Sequence, residues 1–220
     1  VPYMNRLGPA GERWVPLCGV LMGIGVFASP IVCMLADRFL DSGKVMALCN
    51  LGAAIALGGA YLTSSPTVVA GCLLVVTCLL MPTWSLVSAI AMNHASPKSF
   101  PYIRVFGTLG WASAAVFSVV AIGTLGISDF ETSPRIFSCG AATCFAAFLL
   151  SLCLPATPPC AKGKKASLAD ALGLKALVLF KDRDMRTMFL ILCLSMLPFQ
   201  WYFGYNTLYL DESGFKYLSL

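Results

Sequence analysis

The chain has 220 residues, 58% hydrophobic and 11% charged, with a mean hydropathy of +0.82 and a formal net charge of +5. A water-soluble domain carries about 25% charged residues, so this chain lacks the side chains to cover a water-facing surface, and lipid must solvate most of it. The positive charge does not indicate nucleic acid: that reading needs a basic face with exposed aromatics, whereas here Lys and Arg sit in short gaps between apolar runs.

Nothing at the start reads as a cleavable signal peptide, because no charged region precedes a short apolar core. A chain opening on Val1 instead suggests a fragment or a processed product. A helix needs roughly 20 mostly apolar residues to cross the hydrocarbon core. Six segments meet that requirement: Val15–Leu35, Val45–Thr63, Thr67–Met92, Tyr102–Leu125, Ile136–Leu154 and Thr187–Leu210. The first three carry no charge, and only Arg104 intrudes near the start of the fourth. The runs are continuous and do not alternate at period two, which excludes membrane strands. The predicted fold class is therefore an all-α membrane protein.

The gaps set an orientation. After the first span come Arg38 and Lys44, after the third Lys98 and the flanking Arg104, and after the fifth seven basic residues from Lys162 to Arg186. The opposite side has only Arg6, Arg13, Arg135 and Lys216. Basic residues concentrate on the cytoplasmic face, so the amino terminus is expected outside. The gap from Pro155 to Arg186 is the longest and divides the chain into residues 1–154, a basic cytoplasmic segment 155–186, and a last span within 187–220. Ser167 and Asp170 have the spacing of a capping box, with Leu168, Leu172 and Leu179 on one face, which predicts a helix lying on the inner leaflet. The alternative is a basic tether, Ala161–Ala166, running directly into the last span.

Inside the spans, Gly19-x-x-x-Gly23 and the Gly52, Ala53, Ala56, Gly59, Ala60 series predict close helix approach. Pro30, Pro82 and Pro198 predict kinks. Nine of the ten cysteines lie in apolar runs and none forms Cys-x-x-Cys, while the single histidine, His94, has no partner at ligand spacing. The cysteines read as small apolar fillers and His94 as a satisfied interfacial histidine at a helix end, with no metal and no cofactor expected. There is no His-Glu-x-x-His, no Gly-x-Ser-x-Gly and no pair of intramembrane carboxylates, so no catalytic residue is assigned and an intramembrane enzyme is not expected.

Three local patterns go further. Ala36-Asp37-Arg38-Phe39 leads into Gly43-Lys44 after the first span. Phe100 to Trp111 reads Phe-Pro-Tyr-Ile-Arg-Val-Phe-Gly-Thr-Leu-Gly-Trp. Ala171-Leu172-Gly173-Leu174 runs through Leu179-Phe180-Lys181 to Arg186, then to Phe199-Gln200 and Thr207-Leu208-Tyr209-Leu210, and Met81-Pro82-Thr83 lies in the third span. The first resembles the loop between helices two and three of the major facilitator superfamily, with Cys33 standing where that superfamily has glycine. The others, in order and from about Val15 to Leu210, resemble the nucleoside:proton symporter family of that superfamily. The resemblance registers the six spans as helices two to seven of a twelve-helix transporter of the cell inner membrane.

Arg104, Thr108 and Trp111 are spaced i, i+4, i+7 and share one helix face. Guanidinium, hydroxyl and indole suit a nucleoside, which offers ribose hydroxyls, base edges and a flat ring. The resemblance implies substrate binding by Arg104, Thr108 and, as an aromatic replacement, Trp111. Position alone is equally consistent with Arg104 snorkelling to the inner headgroups. Gln200, mid-span in the last helix, matches a family glutamine implicated in nucleoside contacts, with Phe203 where the family has asparagine; an interhelical hydrogen bond is the other reading. The resemblance assigns Asp37 and Arg38 to a conformational latch. No Asp or Glu falls inside a span, so if protons are the coupling ion, their carrier lies in helices outside these six. The implied partners are a nucleoside, protons and the lipid bilayer. A facilitator for another small polar solute, or a bundle that does not transport, is the runner-up.

Overall fold

The computed structural model describes residues 2–96, 98–124, 126–127, 130–159 and 174–213. A helix covers most of each of the six predicted spans. Two short ones come first, α1 (Pro2–Arg6) and α2 (Pro9–Glu12). The long ones follow: α3 (Val15–Arg38), α4 (Ser42–Leu62), α5 (Pro66–His94), α6 (Phe100–Gly123), α7 (Arg135–Leu152) and α8 (Arg183–Glu212). No strand occurs among the described residues. By length and composition, α4, α5, α6 and α7 are apolar enough to cross a membrane among the described residues. With 21 residues, α4 rises about 31 Å at 1.5 Å per residue, close to the thickness of the hydrocarbon core.

Sequence sets the helix boundaries. Asp41 caps α4 from an extended conformation, its Oδ1 accepting from the Gly43 and Lys44 amides at 2.9 and 3.4 Å. Pro66 opens α5 and Pro101 lies in the first turn of α6, where the missing amide hydrogen leaves no bond unmade. Pro30, Pro82 and Pro198 fall within α3, α5 and α8, which are helical on both sides of each.

The chain divides into two units, Val1–Ala166 and Ser167–Leu220. In the first, α4 packs on α5 and α7, and α3 packs on α5. Its two apolar clusters lie near opposite ends. One joins Ala36, Val45, Met46, Cys49, Leu86 and Ile90 from α3, α4 and α5. The other joins Tyr3 and Met4 of α1 to Val69 and Ala70 of α5, with Trp14 and Phe137 against them. The Tyr3 ring stands edge-on to Phe137 at 5.1 Å, and its hydroxyl donates to the Thr63 carbonyl. The close approach of α3 to α5 is made at Gly25, where an added Cβ would lie 2.7 Å from Thr77 Cβ. At Gly23, singled out by the Gly-x-x-x-Gly spacing, a Cβ would meet nothing.

In the second unit, Leu174–Lys181 forms 3-10 helix that leads into α8, with Phe180 against Phe189 at 4.7 Å. This corrects the expectation of an α-helix there. The capping-box residues Ser167 and Asp170, with Leu168 and Leu172, lie outside the described residues.

Candidate functional site

Two places in the first unit gather polar side chains: the start of α6 and the end of the bundle where α3 turns into α4.

At the start of α6, Ser96 and Ser99 hydroxyls pair at 2.9 Å and turn the chain into the helix. Arg104 is the fifth helical residue, and Thr108 and Trp111 follow on the same face. All three are exposed, Trp111 by 64%. Every described side chain of α6 from Pro101 to Val120 is exposed, since α6 touches only α5 and the single 3-10 turn Phe130–Thr132 to any extent. Among the described residues, Arg104 and Thr108 make no side-chain hydrogen bond. A guanidinium with five donors and a hydroxyl are thus unspent on a face that also presents an indole. The structure brings these three expected residues together. Gln200 lies in α8, in the other unit, and its side chain is outside the described residues.

The second place was only partly legible. Asp37 and Arg38 occupy the last turn of α3, Asp37 exposed and Arg38 partly buried. The carboxylate that ties this end together is Asp41. Besides capping α4, its Oδ2 accepts from the Thr157 amide, 116 residues away. The Ser42 amide donates to the Thr157 carbonyl at 3.3 Å, and the Thr157 hydroxyl lies 3.0 Å from His94 Nε2. Thr157 is 3% exposed. Leu154, just after α7, lies beside Gly43, where an added Cβ would be in ordinary contact with it at 3.6 Å. The available signal was Asp-Ser-Gly-Lys before an apolar run, a helix start. His94 is a hydrogen-bonded helix-end histidine, as its isolation in the sequence suggested.

These contacts bear on the up-and-down order. The gaps after the first, third and fifth spans meet through Asp41, His94 and Thr157. At the other end, Tyr3 reaches Thr63, and Arg6 Nη1 reaches the Thr132 carbonyl at 3.5 Å. Gaps grouped by their basic residues are therefore grouped in space as well.

Among the described residues no three His, Cys, Asp or Glu side chains come together as metal ligands. Eight described cysteines are free thiols.

The family described as nucleoside H+ symporter matches residues 1–218. The chain belongs to the nucleoside H+ symporter family. Its relatives include the putative nucleoside transporter YegT of Escherichia coli, 31% identical over 97% of this chain and 51% of YegT. The nucleoside permease NupG of Escherichia coli is 29% identical over 75% of this chain and 39% of NupG. A crystal structure of a mutant of the nucleoside transporter NupG superposes with a TM-score of 0.71 at 28% identity, covering 89% of this chain and 49% of that one. The chain thus spans about half the length of the curated relatives it matches, and this symporter-family chain has a partial major facilitator fold. The family is one of transporters, not of enzymes.

Proposed function

We propose that this chain belongs to a transporter that imports nucleosides across the cell inner membrane by proton symport and alternating access. Residues 1–154 would supply most of one six-helix lobe, residues 155–186 a cytoplasmic connection, and residues 187–220 the first helix of the second lobe. The observation that carries the reading is the exposed α6 face of Arg104, Thr108 and Trp111, in a chain whose family match runs from residue 1 to 218. Arg104 offers a charged, planar set of donors to ribose hydroxyls or base acceptors, Thr108 a donor and acceptor, and Trp111 a stacking surface. Gln200 would contribute from α8. Binding at such a face, with access alternating between the two sides, is how facilitator lobes move a solute.

Coupling to protons requires an ionisable group that changes its exposure. Spans α4 to α7 contain no Asp or Glu. Within this reading, Asp37 and Arg38 act at the membrane surface as a latch, and the proton is carried by other helices of the intact protein.

The test is uptake of labelled uridine and adenosine by cells expressing the intact protein, with sugars as competitors and the proton gradient on or collapsed. Saturable, gradient-dependent uptake that unlabelled nucleosides suppress and sugars do not is the expected result. Suppression by a sugar, with nucleosides inert, would reassign the chain to a facilitator for another polar solute.

A further inference from the structure

Helix α5 carries an indole deep inside its span. The helix has 29 residues and rises about 43 Å, so when centred it overruns a hydrocarbon core of about 30 Å by about 7 Å at each end. Its middle residue is Leu80, and Trp84 lies one turn beyond, about 6 Å from the middle. That is inside the core, short of the headgroup level where tryptophan usually sits. Pro82, Thr83, Leu86 and Ile90 are buried in the packing of the first unit, whereas Trp84 is 74% exposed. Its carbonyl accepts from the Ser88 hydroxyl at 3.0 Å, but among the described residues its indole N–H makes no hydrogen bond. Hydrocarbon offers that N–H no acceptor, and leaving it unmet there is costly. The donor therefore calls for a polar occupant at this depth.

The same level of α6 carries the polar face described above. Both helices are long and apolar enough to cross the membrane, α6 begins six residues after α5 ends, and consecutive spans run in opposite directions. Counted from the end they share, Trp84 is about 15 Å deep, Thr108 about 12 Å and Trp111 about 17 Å. We propose that Trp84 is a substrate-binding residue, which offers the nucleobase a stacking surface from α5 and donates its N–H to a base or ribose oxygen. The role rests on the nucleoside-transporter reading and brings a second helix to that site. A sugar has acceptors for the N–H but no flat ring, so Trp84 favours solutes that carry a base. A purine covers more of an indole than a pyrimidine does, so the contact is larger with adenosine than with uridine.

The test compares the purified intact protein with its Trp84→Phe and Trp84→Leu variants by equilibrium binding of labelled adenosine and uridine. Phenylalanine keeps a ring and loses the N–H, and leucine loses both. Stacking of one base on an aromatic side chain is worth about fivefold or more in affinity. Trp84→Leu should weaken adenosine binding by that much and uridine binding by less, and Trp84→Phe should recover part of the loss. The thermal midpoint without nucleoside should match the parent's, because the exposed ring holds no other element in place. In bilayers, the emission of Trp84, taken as the difference between the parent and Trp84→Phe, should be quenched more by aqueous iodide than by brominated acyl chains. Unchanged affinity in Trp84→Leu overturns the proposal. Equal losses for both nucleosides with a lower thermal midpoint overturn it in favour of a packing role, and stronger quenching by the brominated chains overturns it in favour of a lipid-facing ring. A parent protein that binds no nucleoside overturns the transporter reading and the base contact with it. A parent that binds, with Trp84→Leu binding equally well, overturns the base contact alone.

Discussion

Helices α3 and α6 have the same length, 24 residues each, and a similar wealth of apolar side chains, yet they stand in opposite relations to the rest of their unit. α3 lies along α5 so closely that Gly25 has no room for a methyl group beside Thr77. Every described side chain of α6 from Pro101 to Val120 is exposed, and Gly107 and Gly110 have open space around them. Hydrophobicity does not separate the two, because lipid is as apolar as a neighbouring helix and gives no general drive toward either. What separates them is where backbones can meet: α3 has a small residue where α5 crosses it, whereas α6 interrupts its apolar surface with Arg104, Thr108 and Trp111. One helix packs closely along a neighbour, and the other presents an open face.

The contrast is most easily broken at Gly25. Replacing it by Val puts a branched side chain where even a Cβ would lie 2.7 Å from Thr77 Cβ and 2.8 Å from the Thr77 carbonyl carbon. Overpacking of this kind against backbone costs about 3 kcal/mol. The expected outcome is a large drop in the thermal midpoint of the detergent-solubilised protein and little folded material in membranes. A Gly25→Val protein of normal stability would show that α3 and α5 do not approach this closely.

Arg104→Ala tests the other side of the contrast. It should leave insertion and thermal stability unchanged, because Arg104 makes no side-chain hydrogen bond among the described residues. Uptake should suffer instead. Loss of a charged hydrogen-bond partner costs about 1.5–3 kcal/mol, roughly tenfold or more in the substrate concentration needed for half-maximal uptake. Normal uptake constants at normal expression would return Arg104 to a snorkelling role at the inner headgroups.

How much of this the sequence discloses follows the same division. The six spans are legible because continuous apolar runs of this length have few other fates, and the helices found begin and end within a few residues of the predicted limits. α8 begins at Arg183 instead of Thr187 because charged residues at a membrane surface continue a helix without cost, so charge is a poor marker of its start. The contact face of α3 is not legible: a helix apolar all round has no direction to read, and the close approach falls at Gly25, which no spacing marked. Thr157 was invisible for another reason. Its partners are 116 and 63 residues distant, and nothing local distinguishes a threonine after a helix end from any other. On α6 the pattern Arg104, Thr108, Trp111 is local, and the structure places those residues as the spacing requires.

The smallest effect is expected at Gly107, next to Thr108. A methyl group there meets no atom within 4 Å, and alanine is the better helix former by about 1 kcal/mol. If α6 were simply an outer helix, Gly107→Ala would be neutral or slightly stabilising in every respect. If its face meets substrate or a moving lobe, the methyl group sits beside a surface that closes in one state of the cycle and opens in the other. A group at such a surface changes the balance between states more than it changes the stability of the fold. Gly107→Ala is therefore expected to leave the protein no less stable than the parent, with a gain of at most about 1 kcal/mol from helix propensity. Uptake should still fall, by less than for Arg104→Ala. Thermal unfolding and uridine uptake on the same preparation decide it. A destabilisation as large as that from Gly25→Val would show α6 to be packed like α3, and uptake equal to the parent's would remove Gly107 from the closing surface.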